Sequence, residues 1–342
     1  MNEYPTYSDR PDQPDGFDQP SSPVLDLRRE RLQVSSIALA ITFITLATLL
    51  LRFVLELIVQ LVFPALAKQG WYEMVSSMLP MHLIAMPLSY LIYRFGTASP
   101  PKPKKINLAV WLALLTVTLA VTYIGNFIGI AVNTLIGLIT GEPVQNGLQE
   151  LTGQTPFWAN LLFVGILAPI LEEIFYRKLV IDRLRRYGDL TAVLVSGTLF
   201  GLLHGNFSQF FYAAMGGILF GYIYLYTGKL RYTIALHMTV NLLGGVLVPA
   251  IANRIDIEAL QSGSAEALLN NLLPLATLGG YLILAFACII LAPIVIVLLR
   301  KHIRFASGEI KLTCKDFFKI FLLNPSVWIL LILTVVSFIL SI

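Results

Sequence analysis

Apolar runs long enough to cross a lipid bilayer recur along this chain, separated by short polar stretches. They fall at about 34–65, 75–95, 107–139, 158–181, 190–206, 210–227, 232–250, 273–299 and 326–342. A hydrocarbon core of about 30 Å takes roughly 20 apolar residues in a helix. Strands of a membrane barrel would instead alternate over segments of about 10 residues, and the sequence has no such alternation. The pattern predicts an all-α, polytopic transmembrane helical bundle of eight or nine spans. The run at 107–139 exceeds one simple span, and Gly125 and Gly129 predict a bend within it.

Composition agrees with the pattern. Of 342 residues, 56% are hydrophobic and 13% charged, against about 25% charged in a typical soluble domain. Residues 1–33 begin with a stretch rich in Pro, Asp and Ser. They hold too few apolar groups to offset chain entropy and read as a disordered cytoplasmic N-terminal tail. Transmembrane helices follow at 34–145, a four-helix block at 155–250, and further transmembrane helices at 251–342. The two cysteines, Cys288 and Cys314, have neither metal-site spacing nor the makings of a disulfide framework.

The formal charge of +4 is modest, and its position matters more than its size. Basic clusters LRRER (27–31), PPKPKK (100–105), DRLRR (182–186), GKLR (228–231) and RKHIR (300–304) sit in every second inter-span segment. The intervening loops are poor in Lys and Arg. By the positive-inside rule the N-terminus is cytoplasmic, in an integral protein of the cell membrane. The basic residues are topology signals and not a nucleic-acid footprint, so the surrounding partner is the lipid bilayer.

Within this apolar background, APILEEIFYRKLV (168–180) places Glu172 and Glu173 side by side. An ionisable residue inside a span is a functional candidate by default. Glu173 and Arg177 are four apart and share a helix face, whereas Glu172 points about 100° away. Arg177 therefore neutralises one carboxylate and leaves the other free for chemistry. Pro169 can bend the span just before the pair. The competing reading is an interfacial salt-bridge cluster with Arg177, Lys178 and Asp182. Two further stretches weigh against it. SGTLFGLLHGN (196–206) carries His204 one turn after Phe200, and YTIALHMTVNLLGG (232–245) carries His237 and Asn241 on one helix face. Taken singly, a buried His has a structural partner more often than a catalytic task, and a membrane Asn is usually a helix–helix hydrogen bond. Together, Glu172, His204, His237 and Asn241 form a polar constellation on three spans.

Such a set supports hydrolysis without a covalent nucleophile. Glu172 would take a proton from water, helped by His204, and His237 and Asn241 would donate to an oxyanion. A zinc arrangement of Glu172, His204 and His237 is the alternative. It lacks the local H-E-x-x-H signature and puts an amide, a poor zinc ligand, beside His237, so no cofactor is favoured. Ser196 and Ser208 lie in no nucleophile elbow, and GGILFG (216–221) reads as close helix packing.

The ordered set EEIFYR (172–177), FGLLH (200–204) and HMTVN (237–241) resembles the CAAX-processing and bacteriocin-processing (CPBP, or Abi) protease family. That family's pattern is E-E-x-x-x-R, then F-x-x-x-H, then H-x-x-x-N or a similar residue, on successive membrane helices. The resemblance covers roughly 155–250. It implies an intramembrane endopeptidase acting on membrane-associated protein or peptide substrates. Glu172 corresponds to the water-activating glutamate, His204 to its partner, and His237 and Asn241 to the third motif. Glu173, Arg177 and Phe200 would support the site. The rival function is a non-catalytic membrane immunity or scaffold protein that binds a peptide or partner in the same cavity.

Overall fold

The computed structural model describes residues 25–93 and 97–342, and among these the chain forms helices and no strand. Nine apolar helical segments follow the predicted order. They are α1 (Leu27–Val62), α2 (Tyr72–Tyr93), α3 (Leu108–Thr140), α4 (Phe157–Tyr187), α5 (Asp189–Leu203), α6 (Phe207–Thr227), α7 (Leu230–Ala252) and α8 (Ala265–Leu299), then α9 (Cys314–Leu322) bent by 62° against α10 (Pro325–Leu340). Seven of these helices are long and apolar enough to cross a membrane, and an eighth if the bent pair counts as one. Leucines and isoleucines such as Leu49, Leu57, Ile283 and Ile290 face outward, as a lipid-facing surface requires.

Two sequence expectations change. The sequence pattern extends the N-terminal tail to residue 33, and residues 1–24 of it lie outside the described residues. Residues 27–33, however, are the first two turns of α1. The Asp26 carboxylate caps them by accepting from the amides of Arg28 and Arg29, a standard solution for orphan helix N–H groups. Glu30 is buried because Tyr187 donates to it at 2.6 Å and Arg186 pairs with it at 3.1 Å. Secondly, α3 continues unbroken through Gly125 and Gly129. These glycines are the floor of a crossing: a Cβ on Gly125 would lie 2.6 Å from the Tyr212 nitrogen, and one on Gly129 would lie 2.9 Å from the Phe207 carbonyl oxygen of α6.

The fifth segment is the short one. The 15 residues of α5 rise about 22 Å, less than a hydrocarbon core. It forms a hairpin with α6, pressed together by small residues. Gly217 of α6 would place a Cβ 3.1 Å from the Gly197 Cα of α5, and Gly201 would place one 2.9 Å from the Phe210 carbonyl oxygen. The glycine-rich stretch 216–221 thus packs helices, as its composition predicts.

The basic segments meet at one end of the bundle. Arg185 donates to the Ser99 carbonyl at 2.8 Å, the Lys104 amide donates to the Thr227 carbonyl at 2.6 Å, and the Ile310 amide to the Arg186 carbonyl at 2.9 Å. Gly228 turns the chain there with φ 62°, where a Cβ would approach the Pro103 Cα to 2.8 Å. Only glycine fits both constraints. Because these loops share one end, a single compartment holds them all. In a background with Cys288 and Cys314 replaced by serine, cysteines at 103 and 185 should resist an impermeant label applied outside the cell and react after permeabilisation. Labelling of intact cells at either position would reverse the orientation.

Candidate active site

Helices α4 to α7 build the site, and their backbone is irregular where they do so. Residues 160–167, 174–181 and 242–247 are π-helical. Pro169 has no N–H to return to the carbonyl of residue 165, so the ladder ahead of it widens; Pro249 stands in the same relation to 242–247. Single π turns inside helices are frequent at functional sites. At this crossing Gly165 and Gly245 let α4 and α7 approach, since a Cβ on Gly245 would lie 2.7 Å from a Val164 methyl.

Glu173 and Arg177 pair as their spacing predicts. Arg177 Nε donates to Oε2 at 3.0 Å and Nη2 to Oε1 at 3.1 Å, and both residues are 0% exposed. Arg177 Nη1 also donates to Ser196 Oγ at 3.2 Å, and Ser196 donates to the Tyr176 carbonyl at 2.9 Å. Ser196 is therefore a link between helices and not a nucleophile. The interfacial reading fails on burial: Lys178 is exposed, Asp182 accepts from Tyr224 at 3.0 Å, and neither joins the carboxylate pair.

His237 bridges the two carboxylates. Its Nδ1 lies 3.1 Å from Glu173 Oε1, and its Nε2 lies 3.6 Å from Glu172 Oε2. An ionised carboxylate only accepts, so Glu173 holds the proton on Nδ1 and turns Nε2 toward Glu172. Phe220 stacks on the His237 ring at 5.2 Å. Phe200 sits edge-on to His204 at 5.0 Å and to His237 at 5.6 Å, with the Arg177 guanidinium 5.3 Å from its centroid. It spaces the two imidazoles and covers the cation. His204 closes α5, and its Nδ1 donates to the Phe200 carbonyl at 2.8 Å, leaving Nε2 as an acceptor. Asn241 directs its amide to the Val164 carbonyl at 3.0 Å. It ties α7 to α4 with one of two amide hydrogens.

One partner was missed from sequence. His82 of α2, 2% exposed, places Nε2 3.3 Å from Glu172 Oε1. The signal was available, because the chain has only four histidines and His82 falls in the run at 75–95. Its motif-free surroundings hid it. Phe220 was likewise invisible in a uniformly apolar segment.

Glu172 is only 8% exposed. A cavity of about 480 Å³ lies between α3, residues 141–149 and Ser208, and Glu172, His204 and His237 do not line it. His204 and Asn241 are partly exposed, whereas Glu172, Glu173 and His237 are buried. Among the described residues, no group of three or more His, Cys, Asp or Glu side chains is arranged to hold a metal ion.

A family-model comparison falls on the same stretch. Residues 154–243 match the family model described as Type II CAAX prenyl endopeptidase Rce1-like. The UPF0177 protein YxdF of Lactococcus lactis subsp. lactis (strain IL1403) is 27% identical over 142 residues, which cover 40% of this chain and 74% of that protein. The membrane-embedded CAAX protease MroQ of Staphylococcus aureus (strain USA300) is 31% identical over 115 residues, 31% of this chain and 44% of that protein. No solved structure matches. The three motifs fall within the matched segment, on α4, α5 and α7, and that segment is similar to Rce1-like CAAX prenyl endopeptidases.

The two glutamates should separate on substitution. Glu173→Gln strands the fully buried Arg177, and losing one partner of such a pair costs about 3–5 kcal/mol. Glu172→Gln keeps a polar group of the same shape against His82. Thermal unfolding in detergent should show a large loss of stability for the first and a melting temperature near wild type for the second. Equal melting temperatures would contradict the assignment of Glu173 as the structural member.

Proposed function

We propose that this chain is an intramembrane endopeptidase that hydrolyses peptide bonds of membrane-associated proteins or peptides with a water molecule activated by Glu172. The observation that carries this reading is the division of labour within the carboxylate pair. Glu173 is consumed by Arg177 and His237, while Glu172 faces imidazoles and no guanidinium. The family-model match over residues 154–243 and the name of the Staphylococcus aureus relative support a protease.

In this reading Glu172 Oε2 takes a proton from water while the water oxygen bonds to the scissile carbonyl carbon. His204 Nε2 accepts the second water hydrogen and fixes its direction. The proton is shared across the 3.6 Å gap to His237 Nε2. There, with the second amide hydrogen of Asn241, it faces the oxyanion. Breaking the C–N bond sends that proton to the leaving amine; the second water hydrogen leaves the new carboxylic acid and is taken up by the amine, so the products are a carboxylate and an ammonium. Both protons in the cycle come from water and are relayed by the residues present, so this route is written without a resident metal.

The test is purified full-length protein in nanodiscs, incubated with a panel of membrane peptides and read by mass spectrometry. Wild type should cut at least one peptide with no stoichiometric metal by elemental analysis and little response to chelators. Glu172→Gln should abolish the cuts while staying folded, since glutamine keeps the shape but cannot take a proton. Near-normal turnover by Glu172→Gln would overturn the role of Glu172. Stoichiometric zinc lost in His204→Ala would overturn the metal-free route.

A further inference from the structure

Buried His82 lies outside the matched segment 154–243, on a helix that carries none of the three motifs. Two contacts define its protons. Nδ1 lies 3.0 Å from the Met78 carbonyl oxygen and Nε2 lies 3.3 Å from Glu172 Oε1. A carbonyl oxygen only accepts, so Nδ1 carries a hydrogen. A carboxylate that is to act as a base is ionised and also only accepts, so Nε2 carries one as well. The ring is then an imidazolium. Charge balance points the same way. Glu172, Glu173 and Arg177 are all buried and together leave one negative charge, and buried charge is costly unless paired. One imidazolium brings the cluster to neutrality.

The position of His82 is built and not incidental. Pro80 opens the π-helical turn 80–85 that carries it, and Ala85 and Met86 on the next turn pack into the core shared with α1 and α4. The other neighbours of Glu172 are engaged elsewhere through Nδ1: His237 with Glu173 and His204 with the Phe200 carbonyl. His82 is the residue within hydrogen-bond distance of Oε1, and Oε2 is the oxygen facing His237.

We infer that His82 is a positioning residue for the reaction: a doubly protonated imidazolium that pins Glu172 Oε1 and leaves Oε2 to take the water proton. This rests on the reading of Glu172 as the base. A helix–helix hydrogen bond without that role would leave His82 neutral, with Nε2 indifferent to the charge at position 172.

Two measurements decide it. The first is the nitrogen spectrum of full-length protein labelled with ¹⁵N-histidine in nanodiscs at neutral pH, with the His82 signals assigned by their loss in His82→Gln. Both ring nitrogens of His82 should be protonated in wild type, and Nε2 should lose its proton in Glu172→Gln. A bare Nε2 in wild type, or a spectrum unchanged by Glu172→Gln, overturns the proposal. The second is peptide hydrolysis. His82→Ala should lower kcat by about 10²-fold, the scale of a misplaced catalytic group, with KM near wild type. His82→Gln, whose amide can still donate to Oε1, should recover part of that loss. Full kcat in a folded His82→Ala, or no recovery by His82→Gln, overturns the positioning role. A wild type that cuts no peptide sinks the hydrolytic reading and the positioning role with it, while the nitrogen spectrum separately decides the ion pair.

Discussion

Two adjacent carboxylates buried among helices cannot both remain ionised without partners, and the packing of α4 to α7 follows from that constraint. Desolvating a charge is expensive unless it is paired and hydrogen-bonded. Arg177 satisfies Glu173 in a bidentate pair and is itself anchored by Ser196 and covered by Phe200. That arrangement fixes how α4 lies against α5. His237 reaches both carboxylates and so fixes α7. Glycines at 165, 197, 201, 217 and 245 bring the backbones close enough for these short side-chain contacts to form.

The same constraint makes the site asymmetric. Glu173 has a cation, a fixed hydrogen-bond geometry and no exposure, so its role is to set the tautomer of His237 and hold the cluster together. Glu172 differs by one position in sequence and by its partners in space. Its neighbours are imidazoles, whose ring nitrogens can either donate or accept a proton. A carboxylate held by groups that can give and take protons suits acid–base chemistry; one locked to a guanidinium does not.

Much of this was legible in the sequence because helical spacing carries it. The Glu173–Arg177 pair follows from a separation of four residues, the nine helical segments from the apolar runs, and the shared end of the basic loops from Lys and Arg alternation. The site residues Glu172, His204, His237 and Asn241 could be named because three spaced motifs fall in one order. What sequence could not supply is long-range pairing. His82 meets Glu172 across ninety positions, and no local pattern announces such a contact. The early start of α1 was missed because its turns are charged and polar, and their partners, Arg186 and Tyr187, come from α4. The π-helical turns depend on how prolines at 80, 169 and 249 are accommodated, which spacing alone does not reveal.

The central claim is that Glu172 rests as an ionised carboxylate inside the bundle while its neighbour is neutralised by Arg177. Infrared difference spectroscopy between wild type and Glu172→Gln, in lipid at neutral pH, reads this state directly. The account predicts that the substitution removes carboxylate stretching bands and leaves the protonated-carboxyl region unchanged. Loss of a protonated-carboxyl band instead would mean that Glu172 already holds a proton at rest, and it could not then be the base that activates water.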